Sequence, residues 1–468
     1  MFRLVLALVL VLAGPSLLRA QADRVRHNWW PFFFFQESRD GKVRELELFG
    51  PFYYSYQSPA ESGAAFRPLL AVVDRKSRHD VYFLSPLGHY QREPETSRLR
   101  LIPLWARNSD QAEHKRHHHF GLSFWGESEE GEKYWGIFPL YGRLLDWNDK
   151  EEVRFYLWPV RVKSRFEGNV SSTWFWPIYN RTDGPTFYER KFWPFYSHKI
   201  KKDVYDRTFF LWPFFWREKF FMAEGPVPRD MFLPFWVEER GPAHQRFIFL
   251  WPFFRFYNHE DQETTIWDLP WPIFRYGESK NSPYRERKLW PLIGYRKTAE
   301  GYKHFVFWPL YTYQRDVLKH KEREYHREVR TFLLFTKFER VRNREGELTY
   351  QFSRVWPLGE QVKRKDGFEV FFFPAILPFH SPGVDRTIAP LLRLYEYVQD
   401  PQGFTRSKAL WGFYRHDHTD DEDMVDLAFI LSIHRKKTGW RLTFLKGLFG
   451  IGKENGKFKL KLFFLSLL

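Results

Sequence analysis

The sequence predicts an all-β protein, an antiparallel array of β-hairpin repeats. Three observations predict it. A Trp–Pro pair recurs at a nearly constant interval. Aromatic and β-branched runs of strand length alternate with charged stretches rich in turn residues. Beyond the first residues no 3.6-residue apolar period is sustained, so helix signals are missing.

The chain opens with an export signal. Arg3 supplies a short positive start, residues 4–13 are apolar, and Ala20-Gln21-Ala22 is a small-residue cleavage site. Cleavage is expected before Asp23, leaving residues 1–22 as the signal. The apolar run falls short of the roughly 20 residues that a helical membrane span needs, and no other stretch is apolar for that long. The chain has no cysteine, which excludes disulfides, thiol catalysis and iron–sulfur clusters. Packing and backbone pairing must therefore hold an exported chain together. With 51 Phe, 21 Trp and 24 Tyr it has the side chains to do so.

The repeat pairs are Trp158-Pro159, Trp176-Pro177, Trp193-Pro194, Trp212-Pro213, Trp251-Pro252, Trp271-Pro272, Trp290-Pro291 and Trp308-Pro309, with Pro234 in step after Leu233. Successive prolines lie 17 to 21 residues apart. A fixed period of this size marks one small unit copied many times. Apolar residues fill the positions before Trp and after Pro, giving a Φ-W-P-Φ-Φ unit of about 19 residues. Charged turns such as Glu167-Gly168-Asn169 and Thr182-Asp183-Gly184 separate the units. Proline donates no ladder hydrogen bond, so it marks a corner, bulge or strand start. Each unit then reads as an incoming strand ending in Trp, a corner at Pro, and an outgoing strand that hairpins with the next unit. The recurring Trp is expected to form the core, since equivalent positions in a repeat stack on one another.

Weaker copies extend the array, from WWPFF at 29–33 to VWPLG at 355–359, FFPAI at 372–376, IAPLL at 388–392 and LWGFY at 410–414, where Gly412 takes the proline place. Residues 23–468 thus read as a single repeat domain, most regular over 131–315. The charged segment 316–330 (DVLKHKEREYHREVR) shows no apolar stripe and reads as a hairpin loop.

These units resemble those of uncharacterised exported bacterial hairpin-repeat proteins and, more loosely, the β-flower arrangement of hairpins radiating from a shallow barrel. The resemblance implies an array closed into a shallow barrel, with an aromatic centre and no established chemistry. Two other architectures compete. A propeller needs units to pair into blades of roughly 40 residues. An outer-membrane barrel needs strands of about 9–11 residues alternating in polarity, whereas the apolar runs here are continuous near the proline.

The formal charge is +16, and losing Arg3 and Arg19 with the signal leaves +14. Export turns the expectation away from nucleic acid and towards anionic lipid, lipopolysaccharide or acidic glycan. Charged turns also keep so aromatic a chain soluble.

Chemistry is sparse. His114, His117, His118 and His119 form the densest imidazole group, and short histidine tracts can bind metal. Lys115 and Arg116 interrupt it and no aspartate or cysteine stands at a familiar zinc spacing, so it reads as a solvated loop. A second group, HDHTDDED at 416–423, has the acid density for a hard cation such as calcium but lacks an EF-hand's glycine and spacing. No catalytic motif occurs in a useful context, and nothing singles out a pair of carboxylates. The expectation is a non-enzymatic exported protein of a bacterial envelope, in the periplasm or at the outer membrane. It needs no cofactor and acts as a structural or binding scaffold whose basic turns meet anionic lipid or glycan. The alternatives are an outer-membrane barrel of porin or transporter type and a carbohydrate-binding or carbohydrate-active protein.

Overall fold

The computed structural model describes residues 24–38, 41–320, 323–401, 403–463 and 465–466. The export signal and its cleavage point lie outside the described residues. The chain is 63% strand and 4% helix, arranged as consecutive antiparallel hairpins, which settles the all-β class. It divides into two compact units, one joining residues 1–94 to 367–468 and the other holding residues 95–366.

Within each unit, strands pair with the strands before and after them. Tyr156 of strand Lys150–Tyr156 lies opposite Arg161 of Arg161–Phe166, and Arg161 also faces Trp174 of Asn169–Trp174. The Trp–Pro pair sits in the tight turn between two such strands. At the first one, Val160 N–H donates to the Leu157 carbonyl at 2.7 Å across a cis Trp158–Pro159 bond. The missing proline N–H is no loss in a turn, while its carbonyl remains an acceptor. Trp176 N–H donates to the Pro159 carbonyl at 2.8 Å, and Trp212 and Trp308 repeat this on Pro194 and Pro291 at 2.6 and 2.7 Å. Neighbouring corners are thereby hydrogen-bonded to one another.

The structure amends several expectations. Among the described residues the array is not closed by hydrogen bonds, so the expected closure into a shallow barrel is not made by backbone pairing. Segment 316–330 falls in the long hairpin of strands Tyr311–His320 and Arg323–Phe332, paired from Tyr311↔Phe332 to His320↔Arg323. Its polar residues take strand geometry because both neighbouring strands supply ladder partners. Two short helices, Pro382–Thr387 and Ala389–Leu392, occur where IAPLL reads as a repeat copy. Proline at the first turn of each is compatible with helix, so Pro390 starts a helical turn and not a hairpin corner. Gly412 does take the proline place, in the left-handed region at φ +109°.

Little of the sheet is covered by an apolar core. The buried clusters are small, one of Ala65, Ala71, Val73 and Tyr82 and another of Phe124, Tyr134, Leu145 and Phe155. A repeated device fills the gaps: an aromatic ring folds over the glycine directly opposite it. Phe155 covers Gly142, Phe124 covers Gly136, Tyr134 covers Gly126 and Phe305 covers Gly294. A Cβ added to Gly142 would stand 2.3 Å from the Phe155 ring. Gly142→Ala is expected to destabilise the sheet by about 1–3 kcal/mol through overpacking. Lys163→Ala, on an exposed strand face, should change stability by less than about 0.5 kcal/mol. Urea denaturation followed by circular dichroism checks both.

Candidate functional site

In an antiparallel meander successive turns fall on opposite edges. Within residues 95–366 the apolar turns all fall on one edge and the charged turns on the other. The corner at 157–160 is followed by the charged turn at 167–168, the corner at 175–178 by the turn at 184–186, and so on. One edge is therefore an apolar rim. The unit formed by residues 1–94 and 367–468 has its own rim, with Phe32, Phe49, Phe66, Leu84, Leu410 and Phe444 exposed.

The rim contradicts the expectation that the repeating Trp forms the core. Trp158, Trp176, Trp212, Trp251, Trp271 and Trp308 are exposed, Trp176 at 55% and Trp251 at 50%. Trp193 and Trp290 are half-buried. Pro159, Pro177, Pro194, Pro213, Pro252, Pro272, Pro291 and Pro309 sit in the turns beside them. The rings do stack along the rim, as the repeat implies. Trp158 and Trp176 have centroids 6.0 Å apart, Trp193 and Trp212 5.5 Å, and Trp290 and Trp308 6.0 Å. They meet at the sheet edge because the Trp–Pro pairs occupy the turns between strands, with ring planes 29°, 51° and 43° apart. Phe175, Phe192, Phe210, Leu157 and Phe307 add to the same exposed surface.

Cations share a strand face that leads away from the rim. Arg161, Lys163 and Arg165 alternate with inward-facing residues and are exposed, as are Arg217 and Lys219, with Arg161 and Arg217 nearest the apolar corners. The Arg161 guanidinium lies 4.4 Å from the Trp174 ring centroid. Beside the rim lies a groove of about 680 Å³, lined mainly by apolar side chains including Trp267, Phe274, Leu289, Ile293 and Val306.

The other strand face of residues 95–366 carries matched charges. Arg207, Glu218, Arg229, Glu239 and Arg246 are successive cross-strand partners. Arg207–Glu218 closes at 3.3 Å, Arg229–Glu218 at 3.1 Å and Arg246–Glu239 at 3.7 Å. Asp268 lies between Arg255 and Arg275 at 2.8 and 2.6 Å. Opposite charges in register stabilise a sheet that little apolar contact supports.

In the other unit, charge is fully buried. Arg415 is 0% exposed and lies 3.4 Å from the Phe34 ring centroid, with Arg26 and Arg406 each at 5.5 Å. Glu47 accepts from Arg415 at 2.6 Å and from Lys408 at 3.1 Å. Asp417 pairs with Arg26 at 2.8 Å and Arg406 at 3.0 Å, and Asp426 pairs with Arg26 at 2.7 Å. Burial alone would raise the Glu47 carboxyl, but Arg415 and Lys408 outweigh it and hold it at about 2. Asp417 sits at about 2 by the same balance, with burial opposed by Arg406 and Arg26. Sequence reading missed this cluster, because the pairs that join its N-terminal strands to its C-terminal ones span 361 to 400 positions.

The histidine tract does not converge. Residues 115–120 form a strand, so His117 and His119 face one side and His118 the other. His117 meets the Tyr134 hydroxyl at 3.1 Å, and burial lowers its pKa to about 4. His118 stacks on Trp125 at 5.4 Å, and the His114 ring meets the Gln111 carbonyl at 2.7 Å. His117 and His118 pack within the sheet while His114 stays in the adjoining turn, so the expected solvated loop is a strand over residues 115–120.

Comparison with protein-family models and with curated proteins finds no match.

The buried charges give the unit a defined acid sensitivity. Glu47 and Asp417 ionise lower in the folded chain than their ordinary values of 4.5 and 3.8. Their stabilisation is therefore complete above about pH 4.5 and is lost as pH falls towards about 2. Glu47→Gln leaves Arg415 buried without its counter-charge and should cost about 3–5 kcal/mol. Urea midpoints measured from pH 7 to 2 should fall steeply below pH 4.5 in the native chain and more shallowly in the variant.

Proposed function

We propose that this chain is a non-enzymatic exported scaffold of a bacterial envelope, docking its apolar rim on an anionic lipid surface. The carrying observation is the row of exposed Trp, Phe and Leu turns within residues 95–366, which far exceeds scattered surface hydrophobics. Trp rings with an apolar body and one polar N–H suit the boundary between head groups and acyl chains. Arg161 and Arg217, close behind their apolar corners, stand where head-group phosphates of phospholipid or lipopolysaccharide would lie. The groove beside Trp267 and Ile293 offers room for an acyl segment. This reading moves the lipid contact from the charged turns to the opposite edge.

A spanning outer-membrane barrel fits less well. Most strands have five to eight residues against the roughly 9–11 a bilayer requires. The ten-residue pair Tyr311–His320 and Arg323–Phe332 is charged along its length. An unclosed array would also leave unpaired backbone in hydrocarbon. Against an enzyme, each buried carboxylate described above is held by Arg or Lys, leaving none poised for proton transfer. Acidic glycan remains the competing ligand for the exposed Trp surface.

The test is flotation of the mature chain with vesicles. Phosphatidylglycerol–phosphatidylcholine vesicles should carry the protein, phosphatidylcholine alone less, and high salt or carbonate should release it. Each buried large apolar side chain is worth about 1.5–3 kcal/mol. Trp176→Ala with Trp251→Ala should therefore weaken partitioning at least tenfold. Unchanged partitioning in that variant, or retention in carbonate, would contradict rim docking.

A further inference from the structure

We infer that His416, His418 and Asp423 form a binding site for a divalent transition-metal ion of the zinc class. Strand Tyr414–His418 alternates its side chains, so Arg415 and Asp417 enter the buried charge cluster while His416 and His418 share the opposite face. Strand Glu422–Leu427 pairs with it in register, placing Asp423 directly across from His418. His416 Nε2 lies 2.6 Å and His418 Nδ1 3.3 Å from the same Asp423 oxygen, Oδ1. The three donor atoms lie within 4.8 Å of one another.

Two imidazoles and one carboxylate are the donors that borderline metals prefer, and three protein ligands leave a position for water. Ligand atoms about 2.0–2.2 Å from an ion stand roughly 3–3.5 Å apart in a tetrahedral set. His418 already stands at that spacing from Asp423, and His416 needs only a small outward swing to reach it. The ion would take the place of the protons that now bridge both rings to Asp423. The adjoining turn carries Asp420 and Asp421, of which Asp421 is paired with Lys437. Calcium, which takes six to eight oxygen ligands, is a poor match for two imidazoles. The site lies beside a charged turn, not on the rim of its unit, and is independent of lipid docking.

The test uses the full mature chain stripped with chelator. Calorimetric titration with Zn²⁺ should show one saturable site, and Co²⁺ should give visible d–d absorption. His418→Ala and Asp423→Asn should each weaken binding at least ~10-fold, while His118→Ala, in the sequence tract, leaves it unchanged. His418 is exposed, so its removal leaves the fold intact, which overlapping circular dichroism spectra verify. Zn²⁺ should also protect His416 and His418 from diethyl pyrocarbonate, read by mass spectrometry. Absence of saturable binding, equal affinity in His418→Ala, or loss in His118→Ala overturns the assignment.

Discussion

Within each unit strands pair with their chain neighbours, commonly over five or six residues, so backbone hydrogen bonds between adjacent strands carry the order of the sheet. A chain that reverses every six residues must spend much of its length in turns. Because the strands are antiparallel, odd and even turns separate onto opposite edges. A sequence that alternates Trp–Pro turns with charged turns is thereby sorted in space, apolar to one edge and polar to the other. Proline sustains this sorting. Its carbonyl at 159, 194 or 291 accepts the next corner's Trp N–H, so the rim is bonded along its length.

The faces of the sheet answer a second problem, how to hold a thin structure with few buried apolar groups. Rings folded over opposing glycines supply local packing at Gly136, Gly142 and Gly294. Elsewhere matched charges take over. Asp268 between Arg255 and Arg275 is one such row, and the group around Phe34 is its fully buried counterpart. Buried ion pairs add little net stability, but removing one partner is costly. Glu47 meets Arg415 and Lys408 from strands that it does not pair with, so these ion pairs tie together segments that no backbone ladder joins. This division leaves the aromatic side chains of the corners free to serve as surface.

Much of the fold was legible. Pro159 and its equivalents mark the turning points because a residue without N–H is tolerated there. Glu167-Gly168 and its equivalents mark the other turns. The direction of Trp176 was not legible, because hydropathy equates an aromatic at a repeat corner with a core residue. Burial depends on whether another layer covers that corner, which periodicity does not encode. The cluster of Arg26, Glu47, Arg415 and Asp426 was hidden for another reason: it joins strands from the two ends of the chain. HDHTDDED was visible as a group, but its acids suggested calcium. Only strand alternation separates His416, His418 and Asp423 from Asp417, which faces the interior.

The central claim is that the repeating tryptophans form an exposed rim. Hydroxyl-radical footprinting of the mature chain, read residue by residue by mass spectrometry, tests it most directly. Rapid oxidation of Trp158, Trp176, Trp212, Trp251 and Trp308, with Phe34 and Phe155 protected, is the expected result. Protection of those tryptophans to the level of Phe34 would contradict the rim and restore an aromatic core.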